Sequence, residues 1–296
     1  MRLHYLGPSG TFTELAAQRL ARRIDPTCTL VPASSIAPVF DALRADPYSA
    51  AVVPYYNYLE GLIQESLDGV FESDATILAA QRLPIRFAIA RNRDAHGEPL
   101  VFSHAKGLSQ CSDWLRTHLP EARAVPVSST AEAARRAAET SGSLAIARRE
   151  ALLAAGLELL ADDIGNCSHG RHNYTEFLLV GRLALAVPPD TTFRTMVAIT
   201  PYEERVGLLA DILNQFAFYR INLAKIHSRP GLVQIASQID PQMFYFEVTG
   251  RSDTDDFQAC QRAINYRFGV PNEPAPMKLL GCYPLFDDAA NASSMP

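Results

Sequence analysis

The sequence predicts an α/β protein built from two units, and three observations carry that expectation. Over the first two-thirds of the chain, short apolar runs alternate with amphipathic stretches, the pattern of a layered α/β unit with mostly parallel strands. The segment Leu185-Ala186-Val187-Pro188-Pro189-Asp190 then loses all periodicity and carries two prolines, as a linker does. The last third of the chain reads β-α-β-β-α-β, the split order of a ferredoxin-like unit. A chain of 296 residues is long enough to give each unit its own core.

Leu3 to Leu6 reads as a strand and Gly7-Pro8-Ser9-Gly10 as a turn, after which Thr11 or Thr13 caps a helix reaching about Arg23. Leu30-Val31-Pro32 is a second strand and Ile36 to Ala45 a helix. Ala50-Ala51-Val52-Val53-Pro54 is a short apolar run closed by proline, hence a buried strand. Ile85 to Ala90 and Leu100-Val101-Phe102 are further strands. Leu108 to Leu119 and Ala131 to Ala138 space their apolar residues by three and four, which predicts helices. Leu144 to Ala147 is a strand, Glu150 to Ala155 a helix and Thr175 to Val180 a strand. Beyond the linker, strands are expected over Thr195 to Thr200, Ile221 to Ser228, Phe244 to Val248 and Met277 to Cys282. Helices are expected over Asp256 to Phe268 and Arg205 to Phe218, the latter with Val206, Leu209, Ile212, Leu213 and Phe216 on one face. The tail after Phe286 is small and polar.

Composition narrows the function. Hydrophobic residues make up 48% and charged residues 20%, ordinary for a globular protein. A net charge of −5 with no basic block argues against nucleic acid or an anionic membrane as partner. Cys28, Cys111, Cys167, Cys260 and Cys282 form no CxxC pair, so reduced thiols of a cytoplasmic protein are expected, Cys111 and Cys282 in the core. No signal peptide or membrane span is expected. His104 and His172 lack partners at metal-ligand spacing, and no Gly-rich nucleotide motif occurs, so neither metal nor cofactor is expected. The Gly7 to Gly10 turn is suited to bring backbone N–H groups and a helix N-terminus to a carboxylate.

Ordered blocks of the chain resemble one enzyme family. Gly7-Pro8-Ser9-Gly10-Thr11-Phe12-Thr13 with Ala16-Ala17, Val52-Val53-Pro54 through Asn57 to Glu60-Gly61, and Val101-Phe102-Ser103-His104 with Gln110-Cys111 resemble prephenate dehydratase, as do Ser129 to Ala134 and Thr175 with Phe177. Gly207-Leu208-Leu209, Ile221 to Ile226, Ser228-Arg229-Pro230 and Leu280 to Pro284 resemble its ACT regulatory domain. The resemblance implies a two-lobed, periplasmic-binding-protein-like catalytic domain over residues 1–184 and an ACT-like domain over residues 194–286. It implies a cytoplasmic lyase acting on prephenate without cofactor, as a homodimer or higher homo-oligomer. It also implies a substrate site with Asn57, Gln110 and Thr175, in which Thr175 assists departure of the ring hydroxyl. Ser9, Thr11, Phe12, His104 and Phe177 are the substrate contacts expected around them.

Departures from the family fall in the same blocks. Pro-Ile-Glu-Asn-Ser reads Pro54-Tyr55-Tyr56-Asn57-Tyr58, Ser-His-Pro-Gln reads Ser103-His104-Ala105-Lys106, and Thr-Arg-Phe reads Thr175-Glu176-Phe177. An arginine grips a substrate carboxylate, whereas a glutamate repels it when ionised and donates a proton when protonated. The set resembles the prephenate decarboxylase branch, which loses carbon dioxide, keeps the hydroxyl and yields a dihydro-4-hydroxyphenylpyruvate for secondary metabolism and antibiotic biosynthesis. On that expectation Glu176 and Tyr58 join the catalytic residues, with Glu176, His172 or Tyr58 protonating carbon. Tyr56, Lys106, Arg171 and His172 then bind substrate, Lys106 or Arg171 replacing the lost grip. Two other readings stay open: a dehydratase of phenylalanine synthesis, and a non-catalytic binder of aromatic acids. Each residue also has a bland reading. Thr175 is a common strand residue, the tyrosines are good packing, and alternation turns Glu176 away from Thr175 and Phe177, as a solvated strand-end carboxylate would be. In the ACT-like part, Glu-Ser-Arg-Pro reads His227-Ser228-Arg229-Pro230 and Gly-Ala-Leu reads Gly207-Leu208-Leu209. This removes an anionic partner for an amino acid's ammonium group, so a structural, dimer-forming role stands beside phenylalanine binding as an open alternative.

Overall fold

A computed structural model describes residues 1–94, 96, 97, 99–165, 173–185, 187, 191–231 and 241–287. The first lobe starts from β1 (Arg2–Leu6), whose Leu3 and Tyr5 turn inward with the two-residue period of a strand. In α1 (Phe12–Ile24) the N-cap is Thr11 rather than Thr13. Its hydroxyl accepts from Glu14 N at 3.3 Å, and Ala16, Ala17, Leu20 and Ala21 face the sheet. β2 (Thr29–Ala33), α2 (Ile36–Ala45) and β3 (Ala50–Asn57) come next, both strands parallel to β1. β4 (Gly61–Leu62) folds back on β3, α3 (Gln64–Glu72) packs beside α2, and β5 (Thr76–Pro84) leads out of the lobe.

The second lobe holds β6 (Ala88–Arg91), β7 (Leu100–His104), α4 (Ala105–Gln110), α5 (Ser112–His118), β8 (Arg123–Val127), α6 (Thr130–Glu139), β9 (Leu144–Ala147), α7 (Arg149–Ala154) and β10 (Glu158–Ala161). Its sheet runs β10-β6-β9-β7-β8. The single helix expected from Leu108 to Leu119 is two, interrupted at Cys111, whose φ of −113° and ψ of 9° leave the helical region. β11 (Tyr174–Gly181) brings the chain back to the first lobe, antiparallel between β3 and β5. This return makes the sheet mixed, where the sequence suggested mostly parallel strands. A hydrogen bond from Ile85 N to Asn173 O, at 2.8 Å, ties the two chain crossings together beside the inter-lobe cleft.

The C-terminal unit has the expected order: β12 (Phe193–Ile199), α8 (Leu208–Phe218), β13 (Leu223–Pro230), β14 (Gln242–Thr249), α9 (Asp255–Phe268) and β15 (Met277–Asp287). α8 starts only after Gly207, which takes a left-handed φ of 84° as its N-cap. Leu208, Ile212 and Phe216 form its buried face, while Val206 and Leu209, expected on that face, are exposed. The strand β15 runs beyond its own unit, and Leu285, Phe286 and Asp287 pair in parallel with Ala80, Gln81 and Arg82 of β5. One sheet therefore spans lobe and C-terminal unit in the order β13-β14-β12-β15-β5-β11-β3-β1-β2, with β4 on β3. Cys111 is buried as expected, but Cys282 is only partly so. Among the described residues no helix is long and apolar enough to cross a membrane.

Gly281 sits where β15 passes close to β5. A Cβ added there meets Ile77 O at 2.5 Å and Ile77 N at 2.9 Å, backbone atoms that cannot swing aside. Gly281→Ala is expected to cost about 1–3 kcal/mol by overpacking. Urea unfolding measures it, and an unchanged midpoint would contradict the close approach.

Candidate active site

The two lobes face each other across a cavity of about 250 Å³. The start of α1 supplies Thr11, Phe12 and Thr13, the end of β3 supplies Pro54 and Asn57, and β11 supplies Thr175 and Phe177. Glu60 lies just past β3, and Asn173 stands at the chain crossing. From the second lobe come His104, Lys106 and Gln110, and Ser129 with Thr130 at the start of α6.

At the centre, Asn57 and Thr175 are register partners on β3 and β11, and Asn57 Nδ2 donates to Thr175 Oγ1 at 2.9 Å in a buried bond. The amide's orientation is set at its other end, where Oδ1 accepts from Leu59 N at 3.0 Å and Glu60 N at 3.1 Å. Thr175 thus accepts from Asn57 and keeps its own O–H to donate to a ligand. Beside this pair, Gln110 Oε1 accepts from Asn173 Nδ2 at 3.0 Å, and Gln110 Nε2 donates to Glu60 Oε1 at 3.3 Å. Lys106 Nζ pairs with the second oxygen of Glu60. Asn173 Oδ1 is buried without a hydrogen-bond partner among the described residues, an acceptor suited to a ligand hydroxyl. Both α1 and α6 open on the cavity, with Thr11 and Ser129 as N-caps, so their first N–H groups and dipoles favour carboxylates there. Lys106 is the cationic side chain lining the cavity among the described residues.

Glu176 is elsewhere. β3 bulges at Tyr55, opposite the step from Glu176 to Phe177 on β11, and Glu176 is 1% exposed on the side away from the cleft. Arg82 donates to its Oε1 through Nε at 3.0 Å and Nη2 at 2.6 Å, and Lys225 Nζ of β13 meets its Oε2 at 2.6 Å. Lys225 also pairs with Glu247 of β14, which accepts from the hydroxyls of Tyr55 at 3.0 Å and Tyr283 at 2.9 Å. Burial, with the charge of Glu247 behind it, pushes both phenols well above their ordinary range, so they remain neutral donors. Burial lowers the pKa of Arg82, but its hydrogen bonds to Glu176 and the charges of Glu176 and Asp287 outweigh this and raise it.

The expectation that Glu176 meets a substrate carboxylate is therefore corrected, and so is its reading as a solvated strand end. The family's glutamate and arginine fall at positions 56 and 176, and Tyr56 and Glu176 are cross-strand partners here. Glu176 is compensated by Arg82 and Lys225 and not by its cross-strand partner Tyr56. Tyr56 carries Lys225 above its ring at 4.7 Å, Tyr58 stacks on Tyr174 at 5.2 Å, and the Ser9 hydroxyl meets Tyr5 OH at 3.0 Å. None of these three lines the cleft cavity. Arg171 and His172 lie outside the described residues. Glu60, Thr13 and Ser129, which lie in the family-like blocks without an expected site role of their own, line the cavity too, as does Asn173. The Ser129-x-x-Glu132 spacing of a capping box is the signal that marks the start of α6. Among the described residues no three His, Cys, Asp or Glu side chains gather as a metal site. A second cavity, about 340 Å³, lies between β3 and the C-terminal unit, but the charged groups on it, Lys225 and Glu247, are already paired.

The family model described as prephenate dehydratase matches residues 3–184. The chain belongs to the prephenate dehydratase family. A prephenate dehydratase of Amycolatopsis methanolica is 33% identical over 230 residues, 77% of this chain and 74% of that protein. Arogenate dehydratase 2 of Petunia hybrida is 31% identical over 292 residues, 96% of this chain and 72% of that one. The crystal structure of prephenate dehydratase from Arthrobacter aurescens in complex with L-Phe matches with a TM-score of 0.77 at 28% identity, over 96% of this chain and 90% of that chain. The fold likeness therefore takes in the lobes and the C-terminal unit alike.

Glu176→Arg places a third cation against Arg82 and Lys225. Breaking a buried pair in this way is expected to destabilise the protein by about 3–5 kcal/mol. Chemical denaturation checks this, and a stability equal to wild type would contradict the buried placement.

Proposed function

We propose that the cleft binds prephenate and converts it to phenylpyruvate by aromatising loss of water and carbon dioxide. The observation that carries this reading is the buried Asn57–Thr175 hydrogen bond at the cleft centre, with Glu176 turned out of the cleft. Prephenate carries two carboxylates and a ring hydroxyl. The N-termini of α1 and α6 and the Lys106 ammonium suit the carboxylates, and the Thr175 O–H suits the leaving hydroxyl. The ring C–CO₂ bond breaks, its electron pair aromatises the ring, and the hydroxyl leaves as water with one proton taken up from solvent. The site that releases carbon dioxide gains nothing from a tight grip on that carboxylate, so a cavity with two helix N-termini and a partly neutralised lysine is sufficient.

We further propose that residues 1–184 are the catalytic domain and residues 194–286 an ACT-like domain, in a cytoplasmic enzyme of aromatic amino acid biosynthesis. The exposed edge strand β13, with Ile226 outward, and exposed Val206 and Phe218 support a homodimer through that domain.

Non-aromatising decarboxylation is the second reading. Lys106 favours it, as a residue that departs from the family pattern and does line the cleft. One assay separates the two: prephenate is supplied, and product is followed by ultraviolet absorbance and NMR alongside carbon dioxide release. Phenylpyruvate with one carbon dioxide per prephenate is expected, and a product that keeps its ring hydroxyl would overturn the dehydratase reading. Binding without turnover would mean a non-catalytic binder. Arogenate, which has an amine in place of the keto group, is the competing substrate to run beside it. Thr175→Val should lower kcat by about 10²–10⁴, the range of a lost acid–base group. Turnover at the wild-type rate would remove Thr175 from the mechanism.

A further inference from the structure

We infer that Lys225, on the C-terminal unit, is a positioning residue for the Asn57–Thr175 pair and acts on it through Glu176 and Glu247. The kinetic part of this inference rests on the dehydratase reading, and its structural part does not.

The pair is gripped from behind on both of its strands. On β11, Glu176 is the residue next to Thr175, and each of its carboxylate oxygens is held: Oε1 by Arg82 and Oε2 by Lys225. On β3, Tyr55 lies two residues before Asn57, and its hydroxyl donates to Glu247, the other partner of Lys225. Lys225 therefore stands between one carboxylate that fixes β11 and one that fixes β3. The strand ladder does not do this alone, because its register shifts between Glu176 and Phe177. Asp287 of β15 holds Arg82 at 2.8 Å, so a second anchor of the cluster also comes from the C-terminal unit.

Removal of the Lys225 ammonium leaves Glu176 and Glu247, 1% and 3% exposed, short of a shared cation. They must separate or take in water, and either response shifts β11 against β3. The Asn57–Thr175 geometry then changes without any change in the groups that touch substrate. A misplacement of about 1 Å is enough to lower turnover by about 100-fold.

The test uses the full chain carrying Lys225→Met, with two readouts. The first is kcat and KM on prephenate. The second is the ¹³C-methyl NMR resonance of Thr175, assigned by its loss in Thr175→Ser. Lys225→Met should lower kcat by about 10–100-fold while KM stays within about threefold, and should shift the Thr175 resonance. Lys225→Arg, which keeps the charge, should restore both. Lys278→Met is the comparison: Lys278 donates to Phe71 O across the same interface and touches neither β11 nor the Asn57 end of β3, so it should leave both readouts in place. Unchanged kcat and resonance in Lys225→Met would overturn the inference, as would an equal loss in Lys278→Met. Should Lys225→Met not fold, the double variant Lys225→Met with Glu247→Gln removes the carboxylate left without a cation and must show the same resonance shift. If wild type does not turn over prephenate, the functional reading falls while the resonance still decides the positioning role.

Discussion

A carboxylate with 1% of its surface exposed needs cations where it lies, and Glu176 finds them in two distant parts of the chain. Arg82 comes from β5 and Lys225 from β13, and the requirement that both arrive together sets how the C-terminal unit docks. Apolar contact supplies most of the attraction. Met196, Ala198, Met243, Tyr245, Leu280 and Tyr283 of that unit share one core with Val53, Leu67, Val70 and Leu178 of the first lobe. Such contact is non-directional, whereas Glu176 accepts bonds only along its lone pairs. The charged cluster, with the parallel pairing of β15 on β5, gives the interface its register.

The departures from the family pattern make sense when sorted by place. Tyr58 stacks on Tyr174, Arg82 lies over Tyr174 at 4.6 Å, Arg82 binds Glu176, Glu176 binds Lys225, and Lys225 lies over Tyr56. These contacts form one continuous set on the far side of β3 and β11 from the cleft cavity. Lys106, in contrast, faces that cavity. Apart from Lys106, these departures lie where the two units hold each other, while Asn57, Gln110 and Thr175 line the cleft. A charge reversal in a motif reads as altered chemistry only if the side chain points at the substrate.

Much of the fold is legible in the sequence where one face of an element is apolar and the other polar. β1, α1, α2, β3, α6 and the C-terminal β-α-β-β-α-β order follow from that pattern. β5 escapes it because Gln81 and Arg82 interrupt the apolar run. Gln81 is fully buried and Arg82 mostly so, and their partners, Phe286 O for one and Glu176 with Asp287 for the other, are remote in sequence. Periodicity detects a face toward a core and has no term for a buried ion pair. The same limit explains Glu176. Alternation turns it away from Thr175, and the structure has it there, but no local signal says that β13 and β14 cover that side. In the cleft, Asn57, Gln110 and Thr175 stand out through motif resemblance, whereas Glu60 and Asn173 contribute through hydrogen bonds to Gln110 between residues remote in sequence.

Docking of the C-terminal unit and the set of the cleft strands both depend on a direct contact between Glu176 and Lys225 across the interface. A double-mutant cycle of Glu176→Gln and Lys225→Met on the free energy of unfolding measures that interaction with the least interpretation. A coupling of about 1–3 kcal/mol is expected, with the double variant less destabilised than the two single variants summed. Additivity within about 0.5 kcal/mol would mean that the two side chains do not meet, and would return Glu176 to the substrate cleft as a candidate.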